Sequence, residues 1–161
     1  REAYARLLSA HLHGVAPNNF ACSIVAEACS RGRRWDLALD TLRVLREQGG
    51  EEPDAVMCNQ LISACRWQAQ WRQALALLSD MDSGLLGTAP NLKHFSAAIS
   101  VCEFGVQWAW AIALLDELCR RDVAPNAACC GAVISACEKG KQWRAALWLL
   151  NQMRTEELSP S

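Results

Sequence analysis

The two segments CNQLISAC (58–65) and QWRQALALLSDM (70–81) decide the fold of this chain. In the first segment, four apolar residues fall at the i, i+3, i+4, i+7 spacing that places side chains on one face of a helix. These residues are Cys58, Leu61, Ile62 and Cys65. In the second segment, apolar residues follow Trp71 after three, four, seven and ten positions, which predicts another amphipathic helix. Together the segments predict a helical hairpin with an apolar face.

This hairpin pattern recurs along the chain with a period of 35 to 37 residues. Prolines separate the units, at Pro17, Pro53, Pro90, Pro125 and Pro160. A cysteine stands twelve residues after each of the first four prolines, and a tryptophan stands eighteen residues after each. An alanine three residues after every one of these tryptophans allows two helices to approach closely. Because proline cannot continue a helix, each proline is expected to divide one hairpin from the next.

A single hairpin cannot bury its apolar face, so neighbouring hairpins must stack. The repeat therefore predicts an all-α, right-handed α-solenoid, with first helices on the concave face and second helices outside. The predicted array covers residues 1–161, with the second helix of a truncated repeat in 1–16 and four full repeats after it. The full repeats are 17–52, 53–89, 90–124 and 125–159. Since the chain starts at Arg1 and ends just after Pro160, we expect a fragment of a longer protein, with any targeting segment outside it.

A glycine stands fifteen residues after the proline in three units, as Gly32, Gly105 and Gly140, and Gln68 replaces it in the second. Helices often end at a residue with positive φ, and glycine adopts that conformation readily. The pattern predicts that these glycines end the first helix of their units in this way.

Composition argues against several classes of protein. The 161 residues are 52% hydrophobic and 20% charged, with a net charge of -1. No uncharged apolar run approaches the roughly 18 residues of a membrane span, so membrane insertion is not expected. The balanced charge gives no overall attraction to a polyanion. The sequence has no convincing pattern for a catalytic triad, a glycine-rich phosphate loop or a pair of catalytic carboxylates. We therefore expect no enzyme activity, cofactor or small-molecule substrate.

The cysteines that recur five and twelve residues after the prolines are predicted to be core residues rather than metal ligands, because they lie on one helical face. Cys119 lies off the repeated positions and is predicted to be exposed. A chain with this many unpaired thiols is expected in a reducing compartment. The repeated tryptophans are predicted to begin a buried stripe. Trp67, Trp110 and Trp148 are additional, and an exposed one can stack on a base or contact a partner. His11, His13 and His94 have no metal-site or catalytic context, so surface or packing roles are expected.

The segments above resemble the pentatricopeptide repeat. The fourth unit, with AVISACEKG (132–140), QW (142–143) and a helix that ends at Met153, is similar to the algal variety of that repeat. Arrays of this repeat bind single-stranded RNA with one repeat per base. The resemblance covers Pro17 to Pro160. It implies a non-catalytic, sequence-selective RNA-binding module of organellar RNA metabolism, in the mitochondrion or the chloroplast.

The resemblance also implies which residues read bases. In the family, the residue six after the proline acts together with the residue just after the next proline. The pairs in this chain are Ser23 with Asp54, Asn59 with Asn91, Ser96 with Asn126, and Gly131 with Ser161. The family's preferences imply guanine, then cytosine or uracil, then adenine for the first three pairs. Gly131 departs from the pattern because it has no side chain that can hydrogen-bond.

Two further kinds of contact follow from the resemblance. The residue three after the proline lies against the base in the family, which assigns base stacking to Phe20 and Val56, whereas Lys93 and Ala128 depart from the aliphatic pattern. The residue fourteen after the proline meets phosphate, which assigns Arg31 and Lys139. Trp67 and Phe104 hold this position in the other two repeats. Weak RNA binding is therefore expected.

A second interpretation stays open, in which the solenoid is a protein–protein scaffold in an organellar assembly. The net charge near zero, the missing side chain of Gly131 and the aromatic residues Trp67 and Phe104 favour it. Other proteins of an organellar complex are then the partners. The cluster of Arg31, Arg33 and Arg34 fits either a solvated turn or a binding patch.

Overall fold

The computed structural model describes residues 18–49 and 51–155 together with Ala5, and this part of the chain forms eight α-helices and no strand. The helices are α1 (Asn19–Arg31), α2 (Trp35–Val44), α3 (Ala55–Ala64), α4 (Trp71–Asp82), α5 (Leu92–Phe104), α6 (Trp108–Arg120), α7 (Ala127–Lys139) and α8 (Trp143–Thr155). A π-helical turn, Leu45–Gly49, extends α2, and a 3₁₀ turn, Cys65–Gln68, extends α3. The all-α prediction is confirmed. Apart from Ala5, the helix predicted in 1–16 lies outside the described residues.

The helices form four consecutive hairpins that stack on one another. The first helices make one continuous layer, in which α1 packs on α3, α3 on α5, and α5 on α7. Each of the second helices α2, α4 and α6 packs on the first helix of its own hairpin and on that of the next. This is the stacking that the repeat predicts. None of the described helices has the length and apolar character that crossing a bilayer requires.

The predicted apolar stripe forms the core of the stack. Cys58, Leu61, Ile62 and Cys65 are fully buried, and the matching positions of the first and third hairpins are buried as well. In the fourth hairpin Ile134 is only half-buried. Eight of the nine cysteines are buried and Cys119 is exposed, so the predicted burial of the repeated cysteines and the predicted exposure of Cys119 are confirmed.

The residue directly after the proline position is the N-cap of each first helix, and the helix itself begins one residue later. Asn18, Asp54, Asn91 and Asn126 are the N-caps, and each side chain accepts a hydrogen bond from a backbone N–H of the first turn. Such a cap satisfies an N–H group that has no partner within the helix. Pro53, Pro90 and Pro125 lie in non-helical segments, so these prolines separate hairpins rather than interrupting helices.

The predicted conformation of the turn glycines is wrong. The φ angles of Gly32, Gly105 and Gly140 are -78°, -81° and -79°. The positive φ falls instead on the next residue of each hairpin. These residues are Arg33, Ala69, Val106 and Lys141, with φ between 50° and 58°. The turn thus uses a left-handed residue, but the glycine is not that residue.

At two of these positions, Gly105 and Gly140, the glycine is needed because a tryptophan of the preceding hairpin packs on it. A Cβ added to Gly105 would lie 3.0 Å from Cδ1 of Trp71, and one added to Gly140 would lie 2.5 Å from Cδ1 of Trp108. Real Cβ atoms essentially never come closer than 3.0 Å to another heavy atom. The glycine and the tryptophan are therefore two halves of one contact between repeats.

Gln68 changes this contact at the boundary of the first two hairpins. Its Oε1 accepts a hydrogen bond from Nε1 of Trp35 at 2.6 Å, and its Nε2 donates to the carbonyl of Arg33 at 3.2 Å. A polar link thus joins the same two positions that are in apolar contact elsewhere.

Burial of the repeated tryptophans is only partly as predicted. Trp35, Trp71 and Trp108 are half-buried and pack against the core. The prediction is wrong for Trp143, which is 62% exposed. No described residue takes the place on Trp143 that Gly140 takes on Trp108.

A charged cluster also joins the second and third hairpins. Nη1 and Nη2 of Arg121 donate to the two carboxylate oxygens of Asp82 at 2.7 and 2.9 Å. Nε of Arg121 donates to Glu117 at 2.8 Å. This bidentate geometry is the strong form of an arginine–carboxylate pair.

Candidate nucleic-acid interface

The open surface of α1, α3, α5 and α7, called the trough below, carries adjoining cavities. A cavity of about 800 Å³ lies between α3, α5 and α7, and a cavity of about 300 Å³ lies beside it between α1, α3 and α5. Ser63, Ala97 and Ser100 line both cavities. The two spaces therefore form one continuous trough along the first helices.

The trough brings together most of the residues that are predicted to read bases. Asn59, Ser96 and Gly131, which stand six after the proline in three successive repeats, line the larger cavity together with Asn126. A third cavity of about 460 Å³ is lined by both Asn59 and Asn91. The residues of the second pair therefore lie beside one cavity, as do those of the third.

The first and fourth pairs differ from these two. The side-chain oxygen of Ser23 is shielded from solvent and has no hydrogen-bond partner among the described residues. Asp54 is exposed and is held near the start of α1, because its N–H donates to Oδ1 of Asn19 at 3.0 Å. In the fourth pair, Gly131 lines the trough and Ser161 lies outside the described residues.

Helix capping fixes which atoms the N-cap residues present to solvent. Oδ1 accepts from a backbone N–H at 2.7 Å in Asp54, 3.0 Å in Asn91 and 2.8 Å in Asn126. All three side chains are exposed. Because Oδ1 is used by the helix, Asp54 presents its other carboxylate oxygen as an acceptor, and each asparagine presents its Nδ2 hydrogens as donors.

His94 holds the start of α5 against the start of α3. Its Nδ1 accepts from the N–H of Asn91 at 3.1 Å, which leaves Nε2 to donate to the carbonyl of Ala55 at 2.8 Å. The ring is buried. The predicted surface or packing role of this histidine does not include its positioning of Asn91. The available signal was its place three residues after an N-cap, where a capping box has its second member.

Ser96, which is predicted to read a base, has a side-chain partner in the next repeat. Its Oγ lies 2.8 Å from Sγ of Cys129, within hydrogen-bond distance. Cys129 is buried, so this contact holds the hydroxyl at the edge of the trough.

The residues predicted to stack on bases are accessible. Phe20 is 76% exposed and Val56 is 60% exposed, each in the first turn of its helix. Lys93 and Ala128 are exposed at the matching positions of α5 and α7. An apolar surface is thus available to a base in the first two repeats.

Both residues that are predicted to contact phosphate already pair with a carboxylate. Nη2 of Arg31 lies 2.5 Å from Oε1 of Glu27, and Nζ of Lys139 lies 2.8 Å from Oε1 of Glu103. Ser135 also donates to Glu103, at 2.8 Å. Burial raises the pKa of the Glu103 carboxyl, but the hydrogen bonds from Lys139 and Ser135 outweigh this and leave that pKa below its usual value. Glu103 is therefore a carboxylate at neutral pH.

Trp67 and Phe104, which replace the cation in the two middle repeats, form an aromatic pair bordered by arginines. Their ring centroids are 6.4 Å apart in an edge-to-face arrangement. The guanidinium of Arg33 lies 4.9 Å from the Trp67 ring, and that of Arg66 lies 4.3 Å from the Phe104 ring. Arg66 is not among the predicted site residues, because it stands thirteen rather than fourteen residues after the proline.

The other two additional tryptophans lie on second helices. Trp110 packs on Trp71 with ring centroids 6.2 Å apart. Trp148 is exposed and lines a cavity of about 550 Å³ between α6 and α8, together with Cys119. Across the residues that the structure describes, no three His, Cys, Asp or Glu side chains are arranged to hold a metal ion.

Comparison with known families matches the repeats directly. The PPR repeat model matches residues 56–83, and the pentatricopeptide repeat domain model matches residues 113–161. The chain therefore contains pentatricopeptide repeats. No curated protein matches the sequence.

Solved structures of this family share the fold. The crystal structure of PPR10 from maize is matched with a TM-score of 0.83 and 14% identity, over 94% of this chain and 21% of that one. PPR10 in complex with an 18-nt psaJ RNA element gives 0.81 and 26%, over 92% and 21%. The PPR domain of Arabidopsis thaliana protein-only RNase P 1, in complex with tRNA, gives 0.79 and 14%, over 99% and 83%. This chain spans about a fifth of the length of the PPR10 chains.

Proposed function

We propose that this chain binds single-stranded RNA along the trough and reads one base with each repeat, without catalysing a reaction. The observation that carries the proposal is the continuous trough on which Asn59, Ser96 and Gly131 lie in register, each from a successive repeat. The 26% identity to PPR10, whose structure contains an RNA element, supports the same reading.

The capped residues explain how the base can be chosen. Asp54 presents a carboxylate oxygen, which accepts from the N–H groups on the Watson–Crick edge of guanine. Asn91 and Asn126 present amide hydrogens, which suit the ring-nitrogen acceptors of cytosine and adenine. The residue six after the proline then adjusts the choice, with the larger Asn59 favouring a pyrimidine and the smaller Ser96 leaving room for a purine. The proposed order is guanine, pyrimidine, adenine.

The groups along the trough suit binding rather than catalysis. Those that line the described cavities are amides, hydroxyls, apolar and aromatic side chains, and charged groups. A nucleophile held by a general base is not found among them, so the module is proposed to be non-catalytic. Its proposed setting is organellar RNA metabolism, in the mitochondrion or the chloroplast.

A second role, as a protein scaffold, is supported by the opposite side of the solenoid. Trp110, Leu147 and Trp148 are exposed on second helices, away from the trough. Exposed aromatic side chains are enriched in protein interfaces. Contact with other proteins of an organellar complex through this side is compatible with RNA in the trough.

Binding of short single-stranded RNAs at several salt concentrations tests the main proposal. A sequence with guanine, pyrimidine and adenine in the proposed order is expected to bind more tightly than its permutations. The log–log slope against salt is expected to be negative, by roughly 0.7 for each phosphate that the protein neutralises. A slope near zero, with equal affinity for every sequence, would contradict RNA binding and favour the scaffold.

A further inference from the structure

Arg66 differs from the two cations assigned to phosphate, because no carboxylate forms an ion pair with it among the described residues. Arg31 and Lys139 each lie within 3 Å of a glutamate oxygen. The guanidinium of Arg66 lies instead beside two aromatic rings, with centroids 4.3 Å away in Phe104 and 5.7 Å away in Trp67. The positive charge of Arg66 contributes to lowering the pKa of the Glu103 carboxyl.

The position of Arg66 suits a phosphate that belongs to an RNA in the trough. Arg66 and Trp67 line the smaller cavity, which shares Ser63, Ala97 and Ser100 with the cavity of the base-reading residues. The arginine lies in the 3₁₀ turn at the C-terminal end of α3, whereas the base-reading residues lie near helix N-termini. Helix C-termini carry partial negative charge, so a phosphate at this end of the trough requires a cation.

An RNA phosphate binds most readily to a cation for which no carboxylate competes. A phosphate that approaches Lys139 must replace the 2.8 Å contact with Glu103, and one that approaches Arg31 must replace Glu27. A phosphate that approaches Arg66 breaks no ion pair. The two rings also restrict the guanidinium, so less side-chain entropy is lost when it binds.

We propose that Arg66 binds an RNA phosphate in the trough and that the rings of Phe104 and Trp67 hold its guanidinium there. In the middle repeats this arginine then takes the place of the cation that stands fourteen residues after the proline in the other repeats. This assignment rests on the proposed function. The guanidinium of Arg33, a residue of the first repeat, lies 4.9 Å from the Trp67 ring centroid and adds a second cation beside the aromatic pair.

The chain offers a matched control for the arginine. Arg72 stacks on Trp71 with the same 4.3 Å from guanidinium to ring centroid, but it lies on the second helix α4 and lines neither trough cavity. Substituting each arginine with glutamine therefore removes the same charge and the same kind of ring contact. The main difference between the two arginines is their position relative to the trough, although Arg66 lies beside two rings and Arg72 beside one.

The test measures binding of a short unstructured RNA to the full chain over a series of salt concentrations. For Arg66→Gln we expect the log–log slope to become shallower by about 0.7, with a similar loss of affinity for every sequence. For Arg66→Lys, which keeps the charge, we expect the slope of the unchanged chain. For Arg72→Gln we expect both the slope and the affinity of the unchanged chain.

Each outcome separates this assignment from the proposed function. If the unchanged chain binds RNA with a clear slope but Arg66→Gln and Arg72→Gln behave alike, the assignment is overturned and RNA binding stands. If the unchanged chain does not bind RNA, both are overturned. For Phe104→Leu we expect an affinity loss of about two- to fivefold with the slope retained, and unchanged affinity would overturn the supporting role of the rings.

Discussion

The indole of Trp108 packs on Gly140 so closely that a Cβ at position 140 would lie 2.5 Å from its Cδ1. The contact crosses the boundary between the third and fourth hairpins. Trp71 and Gly105 make the equivalent contact one boundary earlier, and Trp35 with Gln68 replaces it by a hydrogen bond at the first. At the last two boundaries the spacing between repeats therefore depends on a tryptophan in one hairpin and on the absence of a side chain in the next.

Gly140→Ala is expected to destabilise the chain by about 1–3 kcal/mol, because the added methyl group must displace the Trp108 ring. Gly131→Ala is the control on the same helix, since a Cβ there meets nothing within 4 Å. That control should stabilise the helix by about 0.5–1 kcal/mol. Urea denaturation of the two variants measures the difference, and equal stability would show that the ring does not depend on the glycine.

Val106→Gly is expected to raise stability by about 1 kcal/mol, because Val106 has φ of 55° and the left-handed region is costly for a residue with a Cβ. Its side chain is exposed, so little burial is lost. Val106→Ala is the matched control, since it removes the branched methyl groups but keeps the Cβ. The melting temperature of the alanine variant should be well below that of the glycine variant. The reverse order would show that the backbone at position 106 is not strained.

Acid is expected to weaken the contact between the second and third hairpins. The hydrogen bonds from Arg121 lower the pKa of the Asp82 carboxyl below its unfolded value. A group of this kind stabilises the fold above its unfolded pKa, and the stabilisation is lost as the pH falls through the folded pKa. The melting temperature should therefore drop as the pH is lowered below about 4.

Asp82→Asn tests the origin of that drop. It is expected to lower stability at neutral pH by at most about 1 kcal/mol, because the pair is partly exposed, and to flatten the acid dependence. Asp116→Asn is the control, since Asp116 pairs with Arg120 of its own helix and joins no two hairpins. An acid profile that Asp82→Asn leaves unchanged would exclude this carboxylate as the cause.

Thiol reactivity should separate Cys119 from the other cysteines. Burial raises the pKa of Cys58 to about 11 and the pKa values of Cys65 and Cys102 to about 12, so these thiols stay neutral and unreactive in the folded chain. Cys119 is exposed. Brief alkylation with iodoacetamide at neutral pH should add one group, and Cys119→Ser should prevent it. Rapid modification of several cysteines in that variant would contradict the buried core.

Much of the fold could be predicted from the spacing of apolar residues and prolines. The buried positions of α3, from Cys58 to Cys65, follow directly from helical periodicity. The turn glycines show a structural requirement that the spacing of residues does not predict. Sequence alone associates glycine with positive φ, whereas the actual requirement at Gly140 is a ring from another repeat, 32 residues earlier in the chain. Only the stacked structure brings those two positions together.

The candidate site divides in a similar way. Asn59 and Asn91 could be named from their place in the repeat, but their meeting at one cavity depends on His94, whose two ring nitrogens join the starts of α3 and α5. Arg66 could not be found by comparing equivalent positions, because its role depends on Phe104 of the following repeat. Side chains that act across a repeat boundary are the part that a position-by-position reading leaves out.

Base choice by Asn59→Ser tests the central claim most directly. The substitution gives the second repeat a serine with Asn91, the same combination that the third repeat has in Ser96 with Asn126. Affinities are measured for a set of RNAs that differ only at the base assigned to the second repeat. We predict that preference moves from pyrimidine to adenine at that base, with the bases on either side unaffected. A uniform change in affinity for all the RNAs would contradict reading of one base by each repeat.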